Sequence, residues 1–319
     1  MTSARTSFKI FIASAASVFL SGQALAQAID IPMIVTGSYD QNTWATANYA
    51  HQFNTDIKNS PAEFSRNNVS VAAGHRFELG DDWFLVGNAT YQGSYYDFSQ
   101  GSTSALRWKD IHRFTLMAGL GVKPSENWTL VFMALGRSDG ESGATFSDTL
   151  TGGAAVIASY KWSDTLSTGV IVGALSVLED NVALIPVPTV DWRFADDWLL
   201  HFGVVSAAAY PGVGPEISYS ADKWSFGFGG AYQTRRFRLD SDSGGFGPPF
   251  SASKGIGQES SFPVFVRVGF KATDSLSLGA VAGVALGGEI RSGREGGGKI
   301  FKEDYKSAPI LGANLSYRF

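Results

Sequence analysis

The side chains of this sequence that could do chemistry are mainly charged residues at alternate positions within apolar stretches. Five are basic and three are acidic: Arg113, Arg137, Arg193, Arg235 and Arg267, and Asp191, Glu216 and Glu289. Because successive side chains of a β-strand point to opposite faces, this spacing places the charges on one polar face. Rings of charged side chains set the ion preference of pores, and a basic surplus favours anions. The pattern allows two interpretations: a selective lining, or charges that pair with one another and fill space.

The remaining polar residues give little support to catalytic chemistry. The sequence has no cysteine, and its histidines are His51, His75, His112 and His201. A serine hydrolase needs a serine activated by a base, and no histidine stands in a local His-x-Ser-Asn sequence. Residues 240–245 carry two aspartates at calcium-loop spacing, but they lack the later acidic ligand of such loops. We therefore predict no catalytic residue, no metal and no cofactor.

The elements that would carry the charges are short alternating segments joined by tight turns. Turns rich in Asp, Asn, Ser and Gly, which favour tight bends, lead directly into an aromatic residue or a leucine. Counting such segments back from residue 319 gives about fourteen strands, with twelve to sixteen possible, and single-chain bacterial barrels have even strand numbers. We therefore predict an all-β fold, a closed antiparallel up-and-down transmembrane β-barrel.

Five tryptophans stand next to the tight turns. They are Trp83, Trp128, Trp162, Trp198 and Trp224. If the turns lie on one side of a membrane, these side chains form a ring at that interface, where amphipathic aromatic rings are favoured. With both chain ends on the same side, we expect it to be the periplasmic side. The alternative is that each tryptophan covers the core of a soluble β-sandwich.

The last eleven residues, 309–319, show one apolar and one mostly polar face when they are read with period two. The sequence ends at Phe319, with Tyr317 two residues before it. This ending resembles the closing strand of bacterial outer-membrane barrels, and the resemblance implies recognition by the barrel-assembly machinery. In a closed barrel this strand pairs with the first strand, which we place within residues 35–53. The alternative is an ordinary edge strand of a soluble sandwich.

The N-terminal residues have the three parts of a secretory signal peptide. Arg5 and Lys9 provide a basic start, residues 10–20 form an apolar run, and small residues surround the cleavage position at 24–26. The apolar run is shorter than the ~20 residues of a membrane-spanning helix. We therefore expect a signal peptide over residues 1–26 and a single transmembrane barrel domain over residues 27–319.

Composition narrows the class of protein further. Removal of Arg5 and Lys9 with the signal peptide takes the formal net charge from −4 to −6, and this acidic balance argues against a nucleic-acid partner. Mean hydropathy is near zero, although 13% of the residues are aromatic and 37 are glycine. A transmembrane barrel has this composition because lipid-facing and lumen-facing residues alternate and cancel on average. The expected surroundings are outer-membrane lipids and lipopolysaccharide.

One part of the predicted wall is irregular. Pro186 and Pro188 lie within an alternating segment, although each removes a hydrogen-bond donor from a strand ladder. Residues 210–215 read as an interruption, so the next predicted strand, 215–221, is short. Either the wall forms a weakly paired seam here or the predicted strand boundaries are misplaced. Long connections are predicted at 239–259 and 290–306, among other places.

As a whole, the sequence resembles outer-membrane barrels of unknown function and, less closely, the transport barrels associated with aromatic meta-cleavage degradation. The resemblance rests on the signal peptide, the Asp-Asp-Trp turns, residues 184–192 and the C-terminal end. It implies a fold and a location more than a substrate. We expect a passive channel or uptake barrel for an unknown small solute, with a mixed polar and apolar, net basic lumen. The alternatives are a non-conducting structural or surface-interaction barrel and a lipid-modifying barrel enzyme.

Overall fold

The computed structural model describes residues 43–99, 108–178, 182–207, 210–240, 255–293 and 299–319. The strand segments in these ranges belong to one sheet. In chain order they are β1 (Thr43–Asp56), β2 (Glu63–Glu78), β3 (Trp83–Phe98), β4 (Ile111–Ser125), β5 (Trp128–Glu141), β6 (Leu150–Ser163), β7 (Leu166–Ser176), β8 (Val182–Ala195), β9 (Trp198–Ala207), β10 (Tyr210–Ala221), β11 (Trp224–Gly230), β12 (Gln233–Arg238), β13 (Ile256–Lys271), β14 (Leu276–Gly293), β15 (Lys299–Tyr305) and β16 (Ala308–Arg318). A one-turn helix, α1 (Phe146–Thr149), follows β5. Within the described ranges, no helix is long and apolar enough to cross a membrane.

These segments make fourteen wall strands. β11 and β12 both pair with β13, so they are the lower and upper parts of one wall strand. β15 and β16 both pair with β14 in the same way. Consecutive wall strands are antiparallel, and β1 pairs with β16. The prediction of an all-β, closed antiparallel barrel of about fourteen strands is confirmed.

Closure of the barrel depends on the first and last strands. Trp44 pairs with Arg318, and the register continues as far as Gln52 with Ile310. Closing the sheet removes both edges, where unpaired N–H and C=O groups would otherwise meet hydrocarbon. The predicted pairing of the two strands is confirmed. The first strand ends at Asp56 and not near 53, and residues 35–42 lie outside the described ranges.

Large apolar side chains cover the outside of the wall. On β16, Leu311 and Leu315 are 51% and 41% exposed. Similar side chains are exposed on most other strands, among them Val71, Leu85, Leu116, Phe132, Val156, Val172, Ile217, Phe228, Val266 and Leu278. A water-soluble protein rarely exposes a large continuous apolar surface, whereas a transmembrane barrel needs an outward apolar band ~25 Å tall. The exterior of this barrel is therefore suited to a bilayer.

The upper parts of β9 and β10 leave the wall. Among the described residues, β8 pairs with β9 only between Val190 and Ala195. Residues 203–207 of β9 pair instead with residues 210–214 of β10, along the edge of β9 that faces away from β8. Residues 182–189 of β8 therefore have a ladder with β7 but none with β9. We name residues 203–207 and 210–214 the inner hairpin.

The inner hairpin lies inside the barrel. Gly203 begins the departure from the wall with a φ of 154°, a backbone conformation that favours glycine. Val204 and Val205 point to opposite faces of the strand, yet both are buried. Protein therefore covers both faces of this hairpin, unlike a wall strand, which has one face toward lipid.

A second segment, β12, crosses the barrel. All of its side chains are buried, and Arg238 forms a parallel bridge with Gly140 of β5. Five wall strands separate β12 from β5 in one direction and seven in the other, so the two stand on opposite sides of the barrel. Their contact spans the end from which the long connections emerge. We name this end the outer mouth.

The predicted interruption at 210–215 is wrong. β10 begins at Tyr210, and Pro211 and Pro215 pair in register with Ser206 and Phe202 of β9. A proline is tolerated in a strand where the ladder does not require its missing donor. The prolines therefore misled the prediction of the strand boundary.

Two predicted long connections are also shorter than expected. β13 already begins at Ile256, and β15 occupies Lys299–Tyr305. Residues 241–254 and 294–298 of these connections lie outside the described ranges. The start of β13 was missed because residues 256–261 are buried on both faces, which removes the alternation of exposed and buried residues that marks a wall strand.

Backbone amides of residues 182–189 and 203–207 should exchange with deuterium faster than those of residues 276–286. The latter residues have ladders on both sides, with β13 and β16, and doubly paired backbone opens less often. Mass spectrometry of the protein in detergent micelles measures this difference. Equal protection of the segments would contradict a wall that is open between β8 and β9.

Candidate functional site

Apolar side chains fill the middle of the barrel. Val204 and Val213 of the inner hairpin belong to a buried cluster with inward side chains of β3 to β8, namely Val86, Met117, Met133, Ala155, Ile157, Ile171, Leu175, Ile185 and Val187. Val205, on the opposite face of the hairpin, belongs to a second cluster with Ala50, Ala231, Phe265 and Val281. Full burial of one such large side chain stabilises a fold by ~1.5–3 kcal/mol. The inner hairpin is therefore held in the lumen by apolar contacts on both of its faces.

Three buried charges connect β12 to the opposite wall. Asp139 of β5 accepts a hydrogen bond from Nε of Arg113 on β4 at 2.5 Å. It accepts another from Nη2 of Arg235 on β12 at 3.2 Å. Arg235 also donates to the hydroxyl of Ser94. Charge pairing offsets part of the cost of removing these groups from water, and it ties the crossing strand in place.

A second buried polar cluster surrounds Glu259 of β13. Arg66 of β2 forms an ion pair with Glu259 and donates to Oε1 of Gln52 at 2.9 Å. The hydroxyls of Tyr96 and Tyr305 donate to Glu259 at 2.5 Å and 2.9 Å. The carboxylate therefore links β13 to β2, β3 and β15, and Arg66 extends the connection to β1.

Aromatic side chains pack around these clusters at the outer mouth. The rings of Trp108 and Phe237 meet edge to face with centroids 4.9 Å apart, and those of Phe64 and Tyr305 do the same at 5.0 Å. The other buried members of this apolar cluster are Ile57, Ala62, Ile111, Leu239 and Ile290. We name the aromatic cluster, together with the Asp139 and Glu259 clusters, the outer plug.

The structure brings some of the predicted charged residues together. Arg113 and Arg235 meet at Asp139, and Arg267 forms an ion pair with Glu216. All of these side chains except Arg267 are almost completely buried. The charges pair with one another in this part of the barrel.

The other predicted charged residues are dispersed. Asp191 contacts His201, with 2.7 Å between Oδ1 and Nδ1. Arg137 is buried, and its Nε lies 3.4 Å from the Thr151 hydroxyl. Arg193 is exposed near the tight turns, and Glu289 is ion-paired on β14. These residues do not form a single charged ring.

Sequence reasoning missed Asp139, Glu259 and the pairing role of Arg66. Asp139 fell one residue beyond a predicted strand, and Glu259 fell within a predicted long connection. The alternation that suggests an inward Arg137 continues to Asp139, so that regularity could have extended the strand. No local signal pointed to Glu259, because its partners lie far away in the sequence.

Two tight turns at the other end of the barrel carry the same ion pair. Lys161 and Asp164 are 2.6 Å apart, and Lys271 and Asp274 are 2.8 Å apart. The hydrogen bond from each lysine, together with its charge, lowers the pKa of the paired aspartate below its ordinary value. Exposed pairs of this kind contribute little to stability, but they keep the turns charged in mildly acidic solution.

Exposed aromatic side chains surround the tight-turn end of the wall. Trp83, Trp128, Trp162, Trp198 and Trp224 are all between 42% and 64% exposed. Several contact a ring on a neighbouring strand, as in the pairs Trp128 with Tyr160, Trp198 with Tyr219, and Trp224 with Phe270. At the end of the last strand, the rings of Tyr317 and Phe319 contact each other. Aromatic rings at one level of an apolar wall suit the boundary between hydrocarbon and water.

The fold and the exterior together define a class of protein. A closed antiparallel β-barrel with an apolar outer band and exposed aromatic side chains at the turn end is the architecture of bacterial outer-membrane barrels. The chain is a transmembrane β-barrel of this class.

Solved outer-membrane proteins have similar folds. A FadL homologue from Pseudomonas aeruginosa matches with a TM-score of 0.49 and 13% identity, over 88% of this chain and 91% of that chain. An outer-membrane channel from Pseudomonas putida F1 matches with a TM-score of 0.46 and 11% identity, over 90% and 99% of the chains. The P. putida toluene transporter TodX matches with a TM-score of 0.43 and 9% identity, over 88% of this chain and 91% of that chain. No protein-family model and no curated protein sequence matches the chain. At identities this low, the function has to be argued from the chain's own residues.

Replacement of Asp139 by alanine should destabilise the barrel by about 3–5 kcal/mol, because two buried guanidinium groups lose their shared carboxylate. Asp304→Ala is the matched control. Asp304 forms an exposed pair with Lys58 at 3.9 Å, and its loss should cost ~0–1 kcal/mol. Urea titration in detergent, followed by tryptophan fluorescence, gives both values. Similar losses for the two variants would contradict a structural tie at Asp139.

Proposed function

We propose that this protein is a passive uptake barrel of the bacterial outer membrane for small apolar or amphipathic molecules. In this proposal the solute passes sideways through the wall between β8 and β9. The observation that carries it is the missing ladder between residues 182–189 and 203–207, which lies beside an apolar interior. A gap with apolar surroundings is suited to solutes that partition into hydrocarbon.

Pro186 and Pro188 make such an opening tolerable. A backbone N–H without a partner costs several kcal/mol in hydrocarbon, and proline has no N–H to leave unpaired. On the other side β8 keeps a continuous ladder with β7, in which Val172 pairs with Pro186 and Val170 with Pro188. The strand is therefore firmly held along one edge and has two fewer donors to satisfy along the open edge.

The outer plug argues against a wide water-filled pore. A porin lumen is polar and open, whereas here aromatic rings and ion pairs close the outer mouth. Asp139, Glu216 and Glu259 each pair with at least one arginine. The lumen arginines therefore act first as structural ties, and a basic surplus contributes a weaker, secondary preference for anions.

The proposal includes the surroundings of the barrel. Residues 1–26 are removed as a signal peptide, and the tight turns with their tryptophans face the periplasm. The strand that ends at Tyr317 and Phe319 is recognised by the barrel-assembly machinery. The outer wall contacts membrane lipids and lipopolysaccharide. We propose no enzymatic activity as part of this function.

The double substitution Pro186→Val and Pro188→Val tests the sideways path. It restores two donors at the open edge, so β8 and β9 should pair further and uptake should fall several-fold. The measurement is the rate at which N-phenyl-1-naphthylamine, which fluoresces in an apolar phase, enters Gram-negative cells that express the protein. Pro309→Val is the control, because Pro309 pairs with Val284 of β14 and lies in β16, several wall strands away from the opening between β8 and β9.

An unchanged uptake rate in the double variant would contradict the proposal, provided that deuterium exchange shows new protection of residues 203–207. If protection does not change, a disulfide across the opening gives a second route to the same test. The chain contains no cysteine, so an engineered pair would have no competing thiol.

A non-conducting structural barrel is the second candidate function, and the closed outer mouth favours it. The two candidates differ in one measurement on the unmodified protein. Cells that carry the folded barrel should take up the probe faster than cells without it if the uptake proposal holds. Equal rates at matched amounts of folded protein would favour the structural barrel.

A further inference from the structure

A pocket of about 310 Å³ lies where the upper wall is distorted, between β12, β13 and β14. Tyr232, Gln258, Phe262, Glu289 and Arg291 are among the residues that line it. Its volume lies at the lower end of the range of small-molecule sites, ~300–1,000 Å³. It is therefore large enough for a molecule with one aromatic ring.

Strand irregularities create this pocket. The register between β13 and β14 shifts after Ser260, so that Gly287 has no partner in the ladder. Gly287 has a φ of 57° and open space where a Cβ would lie. On the neighbouring wall strand, Tyr232 lies between β11 and β12 and bridges Val213 of the inner hairpin. The pocket therefore lies beside the place where the inner hairpin meets the wall.

The pocket offers hydrogen-bond donors to a ligand, whereas its carboxylate acceptor, Glu289, is already paired. Glu289 forms ion pairs with Arg291 through one oxygen and with Lys302 through the other. Two cations on one carboxylate leave a surplus of one positive charge. Arg291 and Tyr232 both line the pocket. The guanidinium of Arg291 carries further N–H donors on its terminal nitrogen atoms, and the hydroxyl of Tyr232 can also donate. A ligand that accepts hydrogen bonds and carries negative charge matches this arrangement.

An apolar side completes the pocket. Phe262 is 39% exposed, and the Tyr232 ring packs against the apolar cluster of the lumen. We propose that the pocket binds a small monocarboxylate with an aromatic or short apolar body. The guanidinium of Arg291 holds the carboxylate, a pairing for which its planar fork is suited, and Phe262 and Tyr232 contact the body.

This inference rests on the proposed uptake function and assigns it a class of solute. An ionised carboxylate is costly to place in hydrocarbon, so a barrel that handles such molecules benefits from a cationic group at the boundary of its apolar interior. The pocket provides this group without an unpaired buried charge when it is empty, because Glu289 remains paired with Arg291.

Benzoate and its neutral isostere benzamide are the probes for the test. Calorimetric titration of the full chain in lipid nanodiscs should show benzoate binding at least about tenfold tighter than benzamide, as expected for a hydrogen bond to a charged group. Arg291→Met should remove this preference. Lys271→Met is the matched control, since it removes a cation from an exposed ion pair at the opposite end of the barrel and should leave binding unchanged.

A milder variant separates binding from folding. Tyr232→Phe removes one hydroxyl and keeps the ring, so it should weaken benzoate binding several-fold while the barrel keeps its resistance to heat and urea. Equal affinity of the unmodified protein for benzoate and benzamide would overturn the inference. So would benzoate binding that Arg291→Met leaves unchanged.

The two proposals fail in different ways. In one outcome, Arg291→Met abolishes the preference for benzoate, but the proline double variant does not slow uptake of the naphthylamine probe. This outcome supports the ligand pocket and contradicts the sideways path. In the opposite outcome, the proline double variant blocks uptake, but Arg291→Met leaves benzoate binding unchanged. This outcome supports the sideways path and contradicts the ligand pocket.

Discussion

The obligation to pair every backbone N–H and C=O group in hydrocarbon determines the rest of this structure. It requires β1 to meet β16, and it restricts how a segment can leave the wall. The inner hairpin leaves as two strands that remain paired with each other, and β12 enters while it stays paired with β13. The inner hairpin and β12 therefore both retain a ladder of backbone hydrogen bonds inside the barrel. Residues 182–189, which stay in the wall but have no ladder with β9, contain two prolines that need no donor partner.

Different forces hold the two internal segments. The inner hairpin is fixed by valine and other apolar contacts, which are non-directional and tolerate small displacements. The crossing strand is fixed by Arg235, Asp139 and Arg113, whose hydrogen bonds require particular distances and angles. The middle of the barrel can therefore adjust to a solute more easily than the outer mouth. This contrast supports the proposal that solutes pass through the wall and not along the barrel axis.

Alternation of apolar and polar residues was sufficient to predict the wall, including the last strand and its partner. It did not show that Val204, Val205 and β12 lie inside the barrel, because alternation does not reveal that both faces of a strand are buried. It also could not identify the partners of buried charges. Asp139 and Arg235 are separated by 96 positions in the sequence, and only the three-dimensional path of β12 brings them together.

Pairing of β1 with β16 sets the order in which this barrel can assemble. Trp44 near the start of the described chain finds its partner in Arg318, almost the last residue. Such distant contacts slow folding, because the chain must lose much entropy before they form. Until residues 308–318 arrive, β1 and β14 both present an open edge, which invites pairing with other chains. A protein that lacked the last dozen residues would therefore form an open, aggregation-prone sheet and not a slightly smaller barrel.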